Sequence, residues 1–525
     1  MPHALPSSPP EAAAPADAED SHMPDAPAAR LGPEEEEEEE EEQIAASAAD
    51  ATPDLPALPD ATAGAAKSLE DMFDDDSDDD DEFSSSAPVR SSQPAPPSAP
   101  SGKPNFAAPD LLRQFYSRLF PFRPLFQWLN HAPAPGPAFQ NREFAFVLPG
   151  GAYIRYQSFA SPDLFRKQCI AMTPERFEIG PQYNVNPRDR KALRTASALK
   201  PVSKELVFDI DMTDYDPVRT CCRGAAICAK CWPFITMAIR VVDAALRDDF
   251  GFAHILWVYS GRRGAHAWVS DKRARDLDDA KRRALANYLV LVTGNEQAKK
   301  TGDKGGIKRP LHPHIDRSLK LLNPYFTSTV LVDQDPWSTT ALATEKLLPL
   351  LPDAKLTAAL QKKWSSSPTA ARSSTQIWAD IDTVATAGNL STLTSKQLVQ
   401  AKQDIRLHYT YPRLDAEVSK KRNHLLKSPF VVHPGTGRVC VPIDVRDLDN
   451  FDPFAVPTVT QLLREIDEWD LEHAGMAEEE RAKVQDWQRT GLKPYVEFFR
   501  GYVAGLLKAE AAGGKRGREG EGMEF

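Results

Sequence analysis

The sequence has only six cysteines among its 525 residues, and it contains no apolar run near the ~20 residues needed to cross a bilayer. It begins with Pro, Ala, Asp and Glu rather than with a basic and then apolar stretch, so we expect no signal peptide. It also lacks internal repeats and heptads. These absences argue against a membrane-spanning, repeat or coiled-coil protein. They favour a soluble intracellular one, where thiols stay reduced.

The chain has a formal net charge of −12, which at first argues against a nucleic-acid partner. The charge is unevenly distributed, however. Residues 1–100 hold 27 of the 75 acidic side chains and 3 of the 63 basic ones, which leaves 48 acidic and 60 basic residues beyond them. The remainder is therefore basic. This suits a phosphate-bearing partner, although an ordinary solvated surface can carry the same charge.

Residues 1–105 are rich in Pro, Ala, Ser and acids, with acidic runs at Glu34 to Glu42 and at Asp74 to Glu82. Such a segment buries too little apolar surface to offset the chain entropy lost on ordering, so it predicts a disordered acidic tail. The tail would either dock a basic partner or remain solvated without essential chemistry.

Beyond this tail, helical and strand-like patterns alternate and predict a mixed α/β (α+β) body. Strands are predicted at Glu143 to Leu148, Tyr153 to Tyr156, Leu206 to Asp211, His254 to Tyr259, Ala265 to Val269, Phe430 to Val432 and Val439 to Ile443. The predicted divisions are a body over 106–334 and 403–508, a helical insertion over 335–402, and a disordered tail over 509–525.

The segment Glu205 to Asp216 places two carboxylates two residues apart at the end of a predicted strand. Because side chains alternate along a strand, Asp209 and Asp211 project from one face, and Phe208 and Ile210 point towards the core. Neighbouring carboxylates stay ionised most easily with a cation between them, and such hard oxygen ligands suit Mg²⁺ or Mn²⁺. The alternative is a strand end with solvated aspartates, because Asp-x-Asp is a common pattern.

A second motif, Ser260-Gly261-Arg262-Arg263-Gly264-Ala265-His266, lies between two predicted strands. Its glycines permit a tight turn that leaves two arginines and backbone N–H groups pointing outward. Guanidinium groups match the geometry of phosphate, so the turn predicts an anion site. A solvent-exposed hairpin tip is the alternative.

A third segment, Tyr411 to Asp415, supplies one more carboxylate, and Asn423 to Pro434 supplies cations that suit phosphate. Taken alone, this part of the chain favours a basic surface loop. Its significance depends on whether it meets the carboxylates and the turn in the folded protein.

Four of the six cysteines lie within eleven residues, in the pattern Cys221-Cys222-x5-Cys228-x2-Cys231. Four thiolates at this spacing can surround one tetrahedral Zn²⁺, and a site closed by four protein ligands would be structural. The alternative is a set of buried, inert thiols.

Together, these segments resemble the small-subunit family of archaeal and eukaryotic DNA primases, above all its eukaryotic replicative members. The resemblance covers most of residues 106–330 and 405–505, with several long motifs in the same order. It rests on Arg142 to Phe144, Tyr153 to Phe159, Glu205 to Asp216, Phe250 to Trp268, Tyr411 to Asp415 and His424 to Asp444. The pair Lys421-Arg422, the acidic tail and the insertion depart from the family pattern.

The resemblance implies a primase-type catalytic fold with a zinc knuckle at residues 221–231 and a helical insertion subdomain. Asp209, Asp211 and Asp415 would be catalytic and would hold two Mg²⁺ or Mn²⁺ ions about 3.5–4 Å apart. The four clustered cysteines would hold Zn²⁺. The implied nucleotide-binding positions are Glu143, Tyr153, Arg155, Ser260, Arg262, Arg263, His266, Arg413, Lys427 and His433.

The resemblance further implies an enzyme, a DNA-directed RNA polymerase that makes short RNA primers on single-stranded DNA for replication. Its implied partners are the DNA template, the RNA primer, ribonucleoside triphosphates, an iron–sulfur large primase subunit and the DNA polymerase α complex, in the nucleus. Two alternatives stay open. One is a non-catalytic nucleic-acid-binding or scaffold subunit with the same fold, against which the presence of all three aspartates counts. The other is a primase-polymerase that prefers deoxynucleotides and repairs or restarts replication forks.

Overall fold

The structure, a computed structural model, describes residues 105–291, 307–366, 372–387 and 391–521. The predicted acidic tail lies outside these ranges except for its last residue, Asn105. Within the described ranges, strands and helices mix as the sequence predicts, and no helix there is long and apolar enough to span a membrane.

The first sheet is antiparallel, with strand order β2-β1-β3-β4, and β8 also pairs with β3. The strands are β1 Arg142–Val147, β2 Tyr153–Gln157, β3 Arg176–Tyr183, β4 Pro201–Ser203 and β8 Leu426–Lys427. The sequence predicts β1 and β2 but misses β3, which lies at the centre of the sheet. The missed strand contains Gly180-Pro181, residues that ordinarily weaken a strand prediction.

Gly180 in β3 is required by close packing. A Cβ atom there would lie 3.0 Å from Cβ of Glu143 and 3.3 Å from Cγ of Leu425. The glycine therefore lets β3 pass closely behind Glu143 on β1.

The second sheet is also antiparallel and has the order β5-β7-β6-β9. Its strands are β5 Leu206–Asp211, β6 Ile255–Tyr259, β7 Gly264–Val269 and β9 Pro442–Ile443. The first three agree with the predicted strands to within a residue at each end. The predicted pair Phe430 to Val432 and Val439 to Ile443 is reduced to an isolated bridge between Val432 and Val439, followed by β9.

Helices surround the sheets, and one continuous hydrophobic core joins them. The α-helices are Pro109–Arg118, Phe122–Asn130, Pro137–Gln140, Pro162–Met172, Pro233–Ala244, Lys272–Arg275, Asp279–Leu289, Pro313–Tyr325, Thr340–Leu342, Ala354–Ser365, Ser374–Thr386, Ser395–Thr410, Glu417–Lys420, Val459–Glu472, Glu478–Arg481 and Lys493–Glu521. The 3₁₀ helices are Pro187–Ala192, Ala196–Ala198, Met212–Tyr215, Leu348–Leu350, Val445–Asn450 and Asp486–Arg489, and the π-helices are Ala245–Asp249, Phe326–Gln334 and Ala343–Leu347.

The described part of residues 335–402 is helical, and it packs into the core rather than standing apart. Its helices Ser374–Thr386 and Ser395–Thr410 each begin with a capping box. In each box the hydroxyl of the N-cap residue accepts the backbone N–H of a glutamine three residues later, and the side-chain oxygen of that glutamine accepts the backbone N–H of the N-cap residue. The buried indole of Trp337 donates to the hydroxyl of Tyr409 at 2.9 Å. The second of these helices passes the predicted boundary at 402 and leads directly towards Asp415.

The C-terminal helix Lys493–Glu521 differs from the prediction of a disordered tail from residue 509. The residues that continue the helix include Ala509, Glu510, Ala511 and Ala512, and alanine and glutamate have high helix propensity. The glycines that follow prompted the prediction of a tail, yet the backbone through residue 521 is helical.

A buried ion pair joins the two sheets. Arg142 at the start of β1 lies 2.7 Å from Glu205, the residue just before β5, and both side chains are fully buried. His131 also contacts the Glu205 carboxylate, at 3.2 Å. Burial alone would raise the pKa of Glu205, but the neighbouring Arg142 and His131 hold that pKa well below its usual range. The pair fixes β1 relative to the strand that carries Asp209.

Arg142→Met is expected to lower the free energy of unfolding by about 3–5 kcal/mol, because it leaves the Glu205 carboxylate buried without its main counter-charge. Urea denaturation of the full chain measures this loss. The double variant Arg142→Met/Glu205→Gln should recover part of it. Arg113→Met, which breaks the exposed ion pair with Asp110, should cost less than about 1 kcal/mol. Equal losses in Arg142→Met and Arg113→Met would contradict the expectation.

Candidate active site

The end of β5 presents two carboxylates on one face, as the alternation of its side chains predicts. Phe208 and Ile210 are buried, whereas the side chains of Asp209 and Asp211 are 28% and 34% exposed. Strand β7 lies beside them, with Asp209 opposite His266 and Asp211 opposite Gly264. The paired aspartates therefore face an open surface lined by the motif that contains His266.

The third aspartate arrives from a distant part of the chain. The backbone N–H of Asp415 donates to the carbonyl oxygen of Asp209 at 3.2 Å, and the two residues form an antiparallel bridge. The loop after helix Ser395–Thr410 thus extends the second sheet by one residue at the position where Asp209 lies. This backbone contact brings the exposed Asp415 next to the aspartates of β5.

The site accumulates negative charge. Burial, followed by repulsion from Asp211 and Asp415, raises the pKa of Asp209 to about 7. Burial and repulsion from the same two aspartates raise the pKa of Asp214 to about 6. Asp214 was not predicted as a site residue, although it lies three residues after Asp211 in the same acidic motif. Carboxylates that are buried and repel one another favour a bound cation, because its positive charge would let all of them ionise.

The carboxylates of Asp209, Asp211 and Asp415 do not all lie within 4.8 Å of one another. Among the described residues, only the clustered cysteines reach that spacing. Three hard oxygen donors nevertheless fit Mg²⁺ or Mn²⁺. Carboxylates that share two ions lie farther apart than those around one ion, so the wider spacing suits a two-ion site.

Arg263 pairs directly with Asp211. Its Nε lies 2.7 Å and 2.9 Å from the two carboxylate oxygens, and Thr213 donates to the same carboxylate from both its backbone N–H and its hydroxyl. Burial raises the pKa of Asp211, but these donors outweigh it and hold the pKa below its usual value. The family resemblance implies that Arg263 binds the nucleotide, which stays a prediction. In this structure its guanidinium pairs with the carboxylate of Asp211 and so keeps that carboxylate ionised and oriented.

Both glycines of the turn are required by close approach. A Cβ on Gly261, whose φ is +87°, would lie 2.6 Å from Cβ of His433, and one on Gly264 would lie 2.2 Å from the Ile210 carbonyl oxygen. Ser260 is only 8% exposed, and its hydroxyl accepts from the backbone N–H of Gly264 at 3.0 Å. The turn is therefore packed between β5 and the loop of His433, unlike a solvated hairpin tip.

Lys427 connects the two sheets at this turn. It lies on β8, which pairs with β3 of the first sheet, and its Nζ donates to the carbonyl oxygen of Ser260 at 2.6 Å. Its positive charge lowers the pKa of Asp209 and of both nearby histidines. The structure thus brings this predicted cation to the carboxylates, although 218 positions separate Lys427 from Asp209 in the sequence.

Burial and a nearby cation disfavour the charged form of both histidines beside the carboxylates. Burial, followed by the charge of Lys427, lowers the pKa of His266 and that of His433 to about 3. Nε2 of His266 lies 3.4 Å from the carboxylate of Asp209. Nδ1 of His433 accepts the backbone N–H of Gly435 at 3.1 Å, which leaves the proton of a neutral ring on Nε2. His433 can therefore donate a hydrogen bond without carrying charge.

Arg262 and Arg413 lie beside these groups without forming an ion pair with any described residue. A Cβ atom on Gly435 would lie 3.3 Å from Cε1 of His433 and 3.9 Å from Nη1 of Arg262, so both side chains lie beside Gly435. The charge of Arg262 lowers the pKa of His433. Arg413 directs its guanidinium over the ring of Tyr215, 6.0 Å from the centroid, and its charge lowers the pKa of Asp214. Both guanidiniums are therefore available to an anion at the edge of the carboxylate group.

Glu143 is fully buried, so its carboxylate positions neighbouring groups instead of facing solvent. It accepts hydrogen bonds from Arg155 at 3.0 Å, from the backbone N–H of Tyr156 at 3.2 Å and from the hydroxyl of Tyr183 at 2.9 Å. Tyr183 was missed because its strand, β3, was missed. The arrangement places Glu143 as a positioning residue for Arg155.

Tyr153 lies at the outer edge of the first sheet and is 49% exposed. Its hydroxyl donates to Glu178 at 2.7 Å, and burial followed by the charge of Glu178 raises its pKa. Glu178 is paired in register with Lys427, so Tyr153 belongs to the same end of the sheet as the cation that reaches Ser260.

The four cysteines of residues 221–231 converge. All four sulfur atoms lie within 4.8 Å of one another, and the sulfurs of Cys228 and Cys231 are 3.9 Å apart. A tetrahedral Zn²⁺ with Zn–S bonds of ~2.3 Å spaces its sulfur ligands by ~3.8 Å, so the donor set fits zinc. None of the six cysteines forms a disulfide.

Side chains outside the cluster hold the knuckle in place. Arg219 donates to the carbonyl oxygens of Gly224 and Ala226 at 2.8 Å each, and Asp216 accepts from the Gly224 N–H at 2.9 Å. Gln334, which the sequence analysis missed, donates to the Lys230 carbonyl at 2.7 Å and to the sulfur of Cys221 at 3.4 Å. These contacts preform the loop.

Comparison with known proteins agrees with this architecture. A sequence model of the family described as DNA primase small subunit matches residues 208–445, a range that contains all three aspartates and the four cysteines. The chain is 50% identical over 432 residues to the DNA primase small subunit of Schizosaccharomyces pombe, which covers 78% of this chain and 92% of that protein.

Further relatives extend the comparison. The DNA primase small subunit of Saccharomyces cerevisiae is 44% identical over 411 residues, covering 78% of this chain and 94% of that protein. The DNA primase small subunit PriS of Archaeoglobus fulgidus is 32% identical over 157 residues, covering 29% of this chain and 44% of its own length.

The fold and these relatives define a nucleotidyltransferase of the kind that makes RNA primers. The chain belongs to the DNA primase small subunit family, in agreement with the resemblance found in its sequence.

Proposed function

We propose that Asp209, Asp211 and Asp415 hold two Mg²⁺ or Mn²⁺ ions and that the chain synthesises RNA primers on single-stranded DNA at this site. The bridge between Asp209 and Asp415 carries the proposal, because it brings the third carboxylate to the pair on β5. The raised pKa of Asp209 supports it, since mutual repulsion of this kind is relieved by a cation.

In the proposed reaction, the 3′-hydroxyl oxygen of the primer attacks the α-phosphorus of a ribonucleoside triphosphate. The bond to the bridging oxygen breaks, pyrophosphate leaves, and the hydroxyl proton passes to solvent. Divalent ions, when bound, would lower the pKa of the attacking hydroxyl and neutralise charge on the leaving phosphates.

The protein's own contribution is a cation-rich cradle beside the carboxylates. Arg262 and Arg413 offer guanidinium groups, Lys427 offers a point charge, and His433 offers a neutral N–H. These donors would orient the triphosphate without requiring proton transfer. Ser260 shapes the turn that carries Arg262, and Arg155, held by Glu143, completes the cradle from the first sheet.

We further propose a structural Zn²⁺ on the four clustered cysteines, whose spacing and preformed loop fit it. The proposed partners are single-stranded DNA, the RNA primer, an iron–sulfur large primase subunit and the DNA polymerase α complex, and the proposed location is the nucleus. These partners follow from family membership rather than from any contact in the chain.

Primer synthesis on a poly-pyrimidine template tests the proposal. The full chain, with and without the large subunit, is supplied with either ribonucleotides or deoxynucleotides and with Mg²⁺ or Mn²⁺. We expect ribonucleotide products that require the divalent ion. A strong preference for deoxynucleotides would instead indicate a primase-polymerase that repairs or restarts replication forks. If no product formed even with the large subunit present, the chain would be a non-catalytic scaffold.

A further inference from the structure

A basic segment, defined here as residues 188–200, covers the outer side of β2 in the first sheet. It begins within the 3₁₀ helix Pro187–Ala192 and continues through a second short 3₁₀ helix, Ala196–Ala198. Its five cations are Arg188, Arg190, Lys191, Arg194 and Lys200, against a single acid, Asp189. The function proposed above assigns no role to any of them.

None of these five cations forms an ion pair with a described residue, and all but the half-buried Arg190 are exposed. Other arginines on the described surface do pair with acids, as Arg317 does with Asp249 and Arg446 with Asp444. Neighbouring cations without acidic partners repel one another, and a bound polyanion relieves this repulsion. Binding is further favoured because the polyanion releases its condensed counterions.

Aromatic rings fix two of the arginines. The guanidinium of Arg190 lies 4.2 Å from the ring centroid of Tyr156, and that of Arg188 lies 5.1 Å from the ring centroid of Phe159. Arg188 also donates to the side chain of Gln157 at 3.2 Å. A guanidinium held over a ring keeps its N–H edges free for phosphate.

Tyr156 connects the basic segment to the candidate active site. It has a left-handed backbone with φ of +60°, which is strained for a residue other than glycine. Its N–H is held by Glu143, the same carboxylate that holds Arg155, and the Arg155 guanidinium lies 5.0 Å from the Tyr156 ring. One buried carboxylate therefore fixes both Arg155 in the cradle and the ring on which Arg190 lies.

We infer that the basic segment binds the sugar–phosphate backbone of the nucleic-acid strand that runs through the active site. This inference rests on the proposed function and extends it to a specific surface. Unpaired cations beside aromatic rings are typical of surfaces that bind nucleic acid without reading its sequence. Both the template strand and the primer–template duplex offer this backbone.

The variant Lys191→Glu/Arg194→Glu/Lys200→Glu tests the inference in the full chain. Its affinity for a fluorescent RNA-primed DNA template and for unprimed single-stranded DNA is measured by anisotropy over a range of salt concentrations. We expect affinity to fall about tenfold or more at ~0.1 M salt. The slope of log K against log salt should become shallower by about 2 with single-stranded DNA and by about 3 with the duplex part of the primed template, as the loss of three phosphate contacts predicts.

The control is Lys355→Glu/Lys362→Glu/Lys396→Glu, which reverses three exposed, unpaired lysines on helices of the 335–402 region. It changes the net charge equally and is expected to leave the affinity within about twofold and the salt slope unchanged. Ribonucleotide binding in the presence of Mn²⁺, measured separately, should be unchanged in both triple variants.

The inference would be overturned if the Lys191→Glu/Arg194→Glu/Lys200→Glu variant kept the affinity and salt slope of the parental protein. It would also be overturned if this variant and the control variant lost affinity equally. If the variant loses affinity for the primed template but not for single-stranded DNA, the basic segment binds the duplex. If it loses affinity for both nucleic acids, the segment binds the template strand. If the parental protein incorporates no ribonucleotide, the proposed function fails. If it does, and the first variant binds DNA like the parent, only this inference fails.

Discussion

Asp415→Asn is expected to reduce primer synthesis by about a thousandfold or more, equivalent to about 4 kcal/mol in the barrier. The substitution keeps the size of the side chain and the backbone bridge to Asp209, but it removes one of the three carboxylates proposed to hold the ions. Divalent ions typically supply several kcal/mol of charge stabilisation in the transition state. The measurement is ribonucleotide incorporation at saturating substrate, and Asp209→Asn should show a comparable loss.

Glu417→Gln is the matched control for this prediction. Glu417 is exposed and lies two residues from Asp415, and its backbone N–H donates to the Asp415 carboxylate at 3.0 Å. Its own side chain pairs with Lys420 instead of joining the carboxylate group. We expect activity within about threefold of the parent. If Asp415→Asn and Glu417→Gln retained similar activity, Asp415 would have no part in the site.

Cys231→Ser is expected to abolish binding of the proposed Zn²⁺ and to lower the melting temperature by about 5 °C or more. Binding of Zn²⁺ supplies about 10–16 kcal/mol in isolated zinc-finger peptides. The knuckle here is also supported by Arg219, Asp216 and Gln334, so we expect a smaller loss than in a peptide. Zinc content by elemental analysis and melting by circular dichroism measure the two effects.

Cys440→Ala provides the control for the cysteine prediction. Its thiol is buried and lies outside the knuckle, so this variant should retain one zinc per chain even if packing around it weakens. Prolonged treatment of the parental protein with a strong chelator should reproduce the melting behaviour of Cys231→Ser. Zinc-free parental protein that melts like untreated protein would contradict a structural role for the metal.

The local pattern of the sequence predicted the strand end that carries Asp209 and Asp211 and the turn at 260–264, because strand alternation and glycine spacing are local properties. The assignment of these residues to a metal and nucleotide site came from the family resemblance and stays a prediction. The roles of Glu143 and Arg263 could not be assigned in this way. Whether a charged side chain meets a ligand or a neighbouring side chain depends on what packs against it, and here Glu143 holds Arg155 while Arg263 holds Asp211.

The missed strand β3 had further consequences. Its residues Gly180-Pro181 conceal the alternation that marks a strand, and pairing with β1 on one side and with β4 and β8 on the other overrides that weak propensity. Because the sequence did not predict β3, it could not predict the hydrogen bond from Tyr183 to Glu143 or the one from Lys427 to the carbonyl oxygen of Ser260.

The sequence alone determined the strand that carries Asp209 and Asp211, the turn at 260–264 between β6 and β7, and the four-cysteine pattern, because each depends on neighbours within a few residues. Motif order also indicated the family. Only the tertiary structure placed Asp415 against Asp209, brought Lys427 across from the first sheet and left the cations of residues 188–200 unpaired. Contacts between distant segments depend on how sheets pair and cores pack, and these are cooperative properties of the whole chain.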